Sequence, residues 1–152
     1  MEKLEIKTAL QINEAQKTVF DAIVDPSNMS HYFISESTGK MEEGKTINWK
    51  FPEFEEAFPV KILEVRPNEF ISFEWDGAKG QKLKVEIRLE KVEGPATLVR
   101  ITEGKMDVDP AGINWYGQNT EGWANFLASL KAYVEYGINL RKGAFDFMKE
   151  KL

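Results

Sequence analysis

A long amphipathic segment near the C-terminus restricts the possible folds of this chain more than any other feature. Residues 120–136 carry apolar side chains at the spacing of one helix face: Trp123, Phe126, Leu127, Leu130 and Val134. Asn119 or Thr120 is suited to cap the start of this helix, and Gly137 to end it. At 1.5 Å per residue the helix is about 25 Å long, enough to cross a small domain. The pattern predicts a long helix packed along one face on a core.

Most of the chain before this helix alternates between apolar and polar residues, as β-strands do. The alternation is clearest in residues 81–91, where Leu83, Val85, Ile87 and Leu89 share one face and charged residues share the other. Further strands are predicted at residues 3–12, 33–38, 45–51, 54–65, 70–75 and 97–103. Short turns join most of these strands in sequence, which predicts an antiparallel meander.

Two short helices are predicted between the first two strands. Asn13 with Gln16 resembles a capping box, and Asp25 with Pro26 resembles an N-cap followed by proline at the first helical position. Residues 104–118 are predicted to be irregular, either a lid in which Trp115 and Tyr116 cover an apolar opening or a surface loop. The order is typical of a single α+β domain over residues 1–152, with a curved antiparallel sheet of six or seven strands around the C-terminal helix.

Composition excludes several classes of function. A net charge of −5 argues against nucleic-acid binding, which needs a basic surface. The absence of cysteine excludes disulfides and thiolate chemistry, and no metal site or cofactor is predicted. The N-terminus lacks the apolar run of a signal peptide, and no segment has enough consecutive apolar residues to span a membrane. We therefore expect a cytoplasmic protein.

Three segments resemble a known family. They are residues 15–33, residues 60–75, and residues 121–137 with Trp123, Leu127 and Leu130. Together they resemble the START-like superfamily, which has the helix-grip fold, and within it the family related to the activator of the ninety-kilodalton heat-shock chaperone ATPase. The sequence departs from that family at Tyr32, where tryptophan is usual, and in residues 104–118. The resemblance implies a cavity between sheet and helix.

Apolar residues on the inward faces are the candidates for lining such a cavity. Strand parity and the helix stripe select Trp49, Phe51, Phe58, Phe73, Trp75, Ile87, Ile101, Trp123 and Leu127, and Trp115 joins them if its segment is a lid. Each of these side chains can equally be an ordinary part of the core.

Two carboxylates share faces with these residues. Glu56 has the parity of Phe58, and Glu103 has the parity of Ile101. Each points inward if its strand stays regular, where an unpaired charge is costly, or reaches water if it sits at a strand end. We expect at least one of them to orient a ligand. His31, the only histidine, is placed either at the cavity mouth or at an exposed helix end.

The favoured hypothesis is the binding of a small hydrophobic or amphipathic, lipid-like ligand between sheet and helix. The alternatives are regulation of a chaperone ATPase in a stress response and, third, a cyclase- or hydrolase-type enzyme that uses a cavity carboxylate or His31. No residue is predicted to be catalytic, since a lone histidine without a serine elbow cannot form a nucleophilic triad. The C-terminal residues Phe145, Phe147 and Met148 are predicted to pack on the domain or on a second copy of the chain.

Overall fold

The computed structural model describes residues 2–151, so Met1 and Leu152 of the predicted domain lie outside the described residues. Its strands are β1 (Leu4–Ile12), β2 (Glu36–Ser37), β3 (Thr46–Lys50), β4 (Phe58–Arg66), β5 (Phe70–Asp76), β6 (Lys82–Val92) and β7 (Ala96–Met106). Its α-helices are α1 (Gln16–Val24), α2 (Pro26–Met29) and α3 (Pro110–Tyr136). Short 3-10 helices span Ala78–Gly80 and Asp146–Lys151.

All seven strands form one antiparallel sheet in the order β1-β7-β6-β5-β4-β3-β2. From β2 to β7, each strand pairs with the next one in sequence. Strand β1 forms the edge beyond β7 and pairs with it along its length. The sheet is curved and holds α3 on its inner side, which confirms the predicted helix-grip α+β fold.

Side-chain alternation places the core between the sheet and α3. On β6, Leu83, Val85, Ile87 and Leu89 are all buried, as the period of two predicts. The helix buries the predicted stripe of Trp123, Phe126, Leu127 and Leu130 against that face. The two apolar surfaces therefore face each other, and burial of both stabilises the fold.

The start of the long helix differs from the prediction. Helix α3 begins at Pro110 instead of Thr120, so most of the segment predicted to be irregular is helical. Asp109 is the N-cap, and its carboxylate accepts a hydrogen bond of 2.8 Å from the backbone N–H of Gly112. Helix α2 begins with the same aspartate–proline pair. The start of α3 was not predicted because the glycines of this segment weaken its helical pattern.

The start of α2 confirms the prediction made from Asp25 and Pro26. The Asp25 carboxylate accepts hydrogen bonds from the backbone N–H and the hydroxyl of Ser27, at 2.9 and 2.8 Å. These bonds lower the pKa of Asp25. Just beyond the helix, the buried Tyr32 hydroxyl donates to the Ala22 carbonyl at 2.8 Å, and burial raises the pKa of Tyr32 well above 10.

The predicted capping box of the first helix is wrong. Helix α1 has Ala15 as its N-cap, without a capping side chain. Gln16 instead donates to the backbone carbonyls of Asn68 and Leu89, both at 3.1 Å. The backbone N–H of Asn13 donates to Glu135 of α3 at 2.8 Å. Asn13 and Gln16 therefore bond to residues distant in sequence instead of forming the capping box.

Two strands are shorter than predicted. Strand β2 has only Glu36 and Ser37, because turns continue from α2 to Phe33, whose N–H donates to the Met29 carbonyl. Strand β4 begins at Phe58, so Glu56 lies outside it. Within residues 2–151, no helix is both long and apolar enough to span a membrane.

Candidate functional site

Aromatic rings from strands and helix meet in the middle of the fold. Trp123 of α3 stacks on Trp75 of β5, with ring centroids 5.7 Å apart. Phe126 of α3 contacts Trp123 at 5.3 Å, and Trp49 of β3 contacts Phe73 of β5 at 5.3 Å. Edge and stacked contacts of this kind are favourable. Open space borders this cluster at two places, one lined by Phe126 and the other by Trp75.

A buried carboxylate lies beside this aromatic cluster. Glu103 of β7 is 0% exposed. It accepts hydrogen bonds from the indole N–H groups of Trp75 and Trp123, at 2.8 and 2.9 Å. The side-chain amide of Asn119 donates a third bond, of 3.1 Å. Three neutral donors thus satisfy the carboxylate, as burial of such a group requires.

The first open space, which we name the tail recess, lies between α3, the segment after β3 and the C-terminal tail. Its volume is about 320 Å³. Six aromatic side chains line it, and several polar side chains lie between them. The lining residues are Tyr32, Phe33, Phe51, Glu53, Phe54, Asn119, Gly122, Asn125, Phe126, Ser129, Arg141, Phe145 and Met148.

An ion pair fixes the tail over this recess. The guanidinium of Arg141 donates two hydrogen bonds to the carboxylate of Glu53, at 2.8 and 2.6 Å. The Glu53 side chain is 4% exposed and the Arg141 side chain 14%. The Arg141 guanidinium also lies 4.5 Å from the centre of the Phe145 ring and 5.7 Å from that of Phe51. The tail therefore packs on its own domain through a paired, desolvated charge.

A second space, the strand recess, opens at the edge of the same cluster. It has a volume of about 230 Å³ and is lined by Phe58, Pro59, Trp75, Asp76 and Asn119. Asn119 borders both recesses, and its amide is bonded to Glu103 behind them. The two spaces therefore lie on either side of one side chain.

The predicted site residues fall into different environments. The six that are buried in the core are Trp49, Phe73, Ile87, Ile101, Trp123 and Leu127. Half-buried Phe51 lines the tail recess, and half-buried Phe58 and Trp75 line the strand recess. Glu103 points inward, as predicted from its parity.

Glu56 and Trp115 do not lie where the sequence placed them. Glu56 is exposed in the segment before β4, so the expectation of an inward carboxylate there is wrong. Trp115 is buried near the start of α3 as part of the core, so it is not on a lid. His31 is exposed, with Nδ1 2.9 Å from the Ser27 carbonyl, and its ring stacks on Tyr133 at 5.5 Å. It occupies the exposed helix end that was one of its two predicted positions.

The sequence analysis missed most residues of the tail recess, among them the polar residues Glu53, Asn119 and Arg141. Asn119 lies four residues before Trp123, so it continues the apolar stripe by one helical turn. That signal would have found it had the start of α3 been placed correctly. Glu53 and Arg141 are separated by 88 residues, and no local pattern links them.

Among the side chains that the structure describes, no group of three or more histidine, aspartate and glutamate residues is arranged to hold a metal ion.

Comparison with known proteins identifies the family. The family described as Activator of Hsp90 ATPase homolog 1-like protein matches residues 15–135, well over half of the chain. This chain belongs to that family. No protein with a curated functional description matches this family member.

Solved structures share the fold of this family member. Protein SSP2350 from Staphylococcus saprophyticus is 33% identical, with a TM-score of 0.79 over 91% of this chain and 96% of its own. The Aha1 dimer from Colwellia psychrerythraea is 21% identical, with a TM-score of 0.76 over 88% of this chain and 98% of its own. CalU16 from Micromonospora echinospora is 18% identical, with a TM-score of 0.68 over 99% and 92%.

Proposed function

We propose that the chain binds a small apolar or amphipathic molecule in the tail recess. The observation that carries the proposal is an aromatic-lined opening of about 320 Å³ beside the gripped helix. Small-molecule sites are concave and mostly apolar, with a few polar groups that fix orientation, and their volumes start at roughly 300 Å³. The size favours one short chain or one ring system.

The polar side chains of the recess support an amphipathic ligand. Asn119, Asn125 and Ser129 follow one another along α3 on the side that faces the recess. Glu53 and Arg141 close the opposite wall as a neutral pair. An apolar chain against the rings and a polar end against the helix amides would use both kinds of surface.

Filling the recess is the direct test. A Cβ built at Gly122, which lines the recess, meets no atom within 4 Å. Gly122→Leu therefore places its Cβ in open space and should fill part of the recess, and leucine also favours the helix. We expect this variant to lose binding of the fluorescent apolar probe N-phenyl-1-naphthylamine.

Gly117→Leu is the matched control. Gly117 lies on the same helix, also has no atom within 4 Å of a built Cβ, and lines neither recess. It should bind the probe as the wild type does. Equal binding by wild type, Gly122→Leu and Gly117→Leu would show that the probe does not occupy the recess, and the proposal would fail.

A second candidate function is self-association through the C-terminal region. Large apolar side chains are exposed there: Tyr136, Ile138, Leu140, Phe147 and Met148. An exposed apolar patch marks many protein contacts, and one protein of similar fold is described as a dimer. Sedimentation equilibrium should show a dimer that Leu140→Glu with Phe147→Glu dissociates. A monomer at all concentrations together with capture of a chaperone ATPase would favour the regulator hypothesis instead.

A further inference from the structure

We propose that Glu103 selects the polar end of the ligand, and this inference rests on the proposed function. The ligand class is an apolar molecule with an N–H or O–H donor, such as a primary amine or an alcohol. Its donor replaces the Asn119 amide on the carboxylate. A carboxylate or an ether of the same shape binds more weakly, because neither offers a donor.

The charge balance around Glu103 is the first ground. The carboxylate is fully buried, and its three partners are two indoles and one amide, all neutral. No ion pair joins it to a lysine, arginine or histidine among the side chains that the structure describes, which leave out residues 79, 150 and 151. A buried carboxylate that is bonded only to neutral donors favours a cationic or hydrogen-bond-donating ligand over an anionic one.

The remaining bonding capacity is the second ground. A carboxylate has about four lone-pair positions, and the protein fills three of them. The bond from Asn119 is the longest of the three at 3.1 Å. The two indole donors are held more firmly, because Trp123 is buried and Trp75 stacks on it. Asn119 is therefore the donor that a ligand can displace.

The position of Asn119 is the third ground. Its side chain borders the tail recess on one side and the strand recess on the other. When the amide turns away from Glu103, a ligand in the tail recess meets the carboxylate directly. The apolar part of the ligand remains against Phe51 and Phe126 of the recess wall.

Two pairs of matched ligands test this selection. Octanol and its methyl ether differ in the O–H donor while both stay neutral, so long-range charge plays no part in the comparison. Octylamine and octanoate form the second pair and compare a positively charged end with a negatively charged one. We expect octanol to bind more tightly than the ether by up to about tenfold, since a hydrogen bond to a carboxylate is worth at least that ratio and loss of the Asn119 bond offsets part of it. Octylamine should bind more tightly still, and octanoate least.

Indole signals in ¹⁵N–¹H spectra report the place of binding. Trp75 and Trp123 donate to Glu103, whereas the indole nitrogens of Trp49 and Trp115 are buried without a hydrogen-bond partner among the described residues. Octanol should shift the Trp75 and Trp123 signals more than the other two. This measurement uses the wild-type chain, so it does not depend on a variant that folds.

Two variants complete the test. Glu103→Gln should bind octanol and its ether with affinities closer together than in the wild type, because glutamine keeps only one of the two acceptor oxygens. Asn119→Ala should strengthen octanol binding several-fold, because no internal donor has to be displaced, and it keeps the protein testable if Glu103→Gln fails to fold.

The outcomes separate this inference from the proposed function. If wild type binds octanol and the ether equally, and Gly122→Leu abolishes both, the recess binds ligands but Glu103 does not select them. If none of the four ligands binds, the proposed function itself fails. A shift confined to Trp49 or Trp115 would also overturn the role of Glu103.

Discussion

The ion pair between Glu53 and Arg141 offers the sharpest test of how the C-terminal tail is held. Replacing Arg141 by methionine keeps an apolar stem but removes the guanidinium and both of its bonds. It leaves the Glu53 carboxylate, only 4% exposed, without its cation. Breaking a buried pair from one side costs about 3–5 kcal/mol, since the orphaned charge has lost its solvation.

The geometry reduces this figure. Arg141 is 14% exposed, and Glu53 lines an open recess, so water can reach the orphaned carboxylate. We therefore expect the free energy of unfolding to fall by about 2–3 kcal/mol. For a chain of this size that corresponds to a decrease in Tm of about 4–12 °C.

Urea denaturation of four proteins measures the effect. They are wild type, Arg141→Met, Glu53→Gln and the double variant, which together form a double-mutant cycle. The double variant should recover part of the loss, because it buries no unpaired charge. Lys142→Met is the control, because Lys142 is exposed on the same tail, and its unfolding free energy should change by less than about 0.5 kcal/mol.

The reasoning would be refuted if Arg141→Met were as stable as Lys142→Met. It would also be refuted by strict additivity in the cycle, because that would mean the two charges do not interact. Protease sensitivity of residues 139–151 provides a second readout. Arg141→Met should be cut there faster than wild type if the pair holds the tail in place.

Three further predictions concern the fold. Asp109→Ala should lower the free energy of unfolding by about 1 kcal/mol in urea denaturation, because it removes the N-cap of α3, and no change would contradict that role. Leu127→Ala should cost about 2–5 kcal/mol as a buried cavity, and a cost like that of an exposed site would mean the helix face is wrongly assigned. Burial acts to raise the pKa of Glu135, but hydrogen bonds from Lys131 and the Asn13 backbone outweigh it and lower the pKa. Glu135 therefore stabilises the fold above its ordinary pKa and loses this contribution as pH falls through the lowered value, so Glu135→Gln should show less acid destabilisation in urea titrations from neutral pH to below about pH 4.

The sheet and the gripping face of the helix could be predicted because their periods are local. Leu83 and Ile87 alternate with charged neighbours, and one residue of slip would expose the whole set. The same parity correctly turned Glu103 inward. The parity argument failed for Glu56, because β4 begins at Phe58, two residues after Glu56, and side chains do not alternate regularly outside a strand.

The first part of α3 could not be predicted from periodicity alone. Gly112 and Gly117 weaken the helical signal, since glycine is a poor helix former. Gly112 is nevertheless required there, because a Cβ at that position would lie 1.9 Å from the Asp107 carbonyl oxygen. Gly112 therefore weakens the helical pattern in the sequence and at the same time permits the tight turn at the start of α3.

The two buried carboxylates of the site differ in what they leave for a ligand. Glu53 is neutralised by Arg141, and its two oxygens take both N–H groups of the fork. A ligand cation gains little there, since it would have to displace a guanidinium. Glu103 is held by hydrogen bonds from neutral groups alone. The fold alone does not distinguish these two carboxylates, whereas their hydrogen-bond donors and neighbouring charges do. The ligand selectivity of this family member should therefore reside at Glu103 and Asn119.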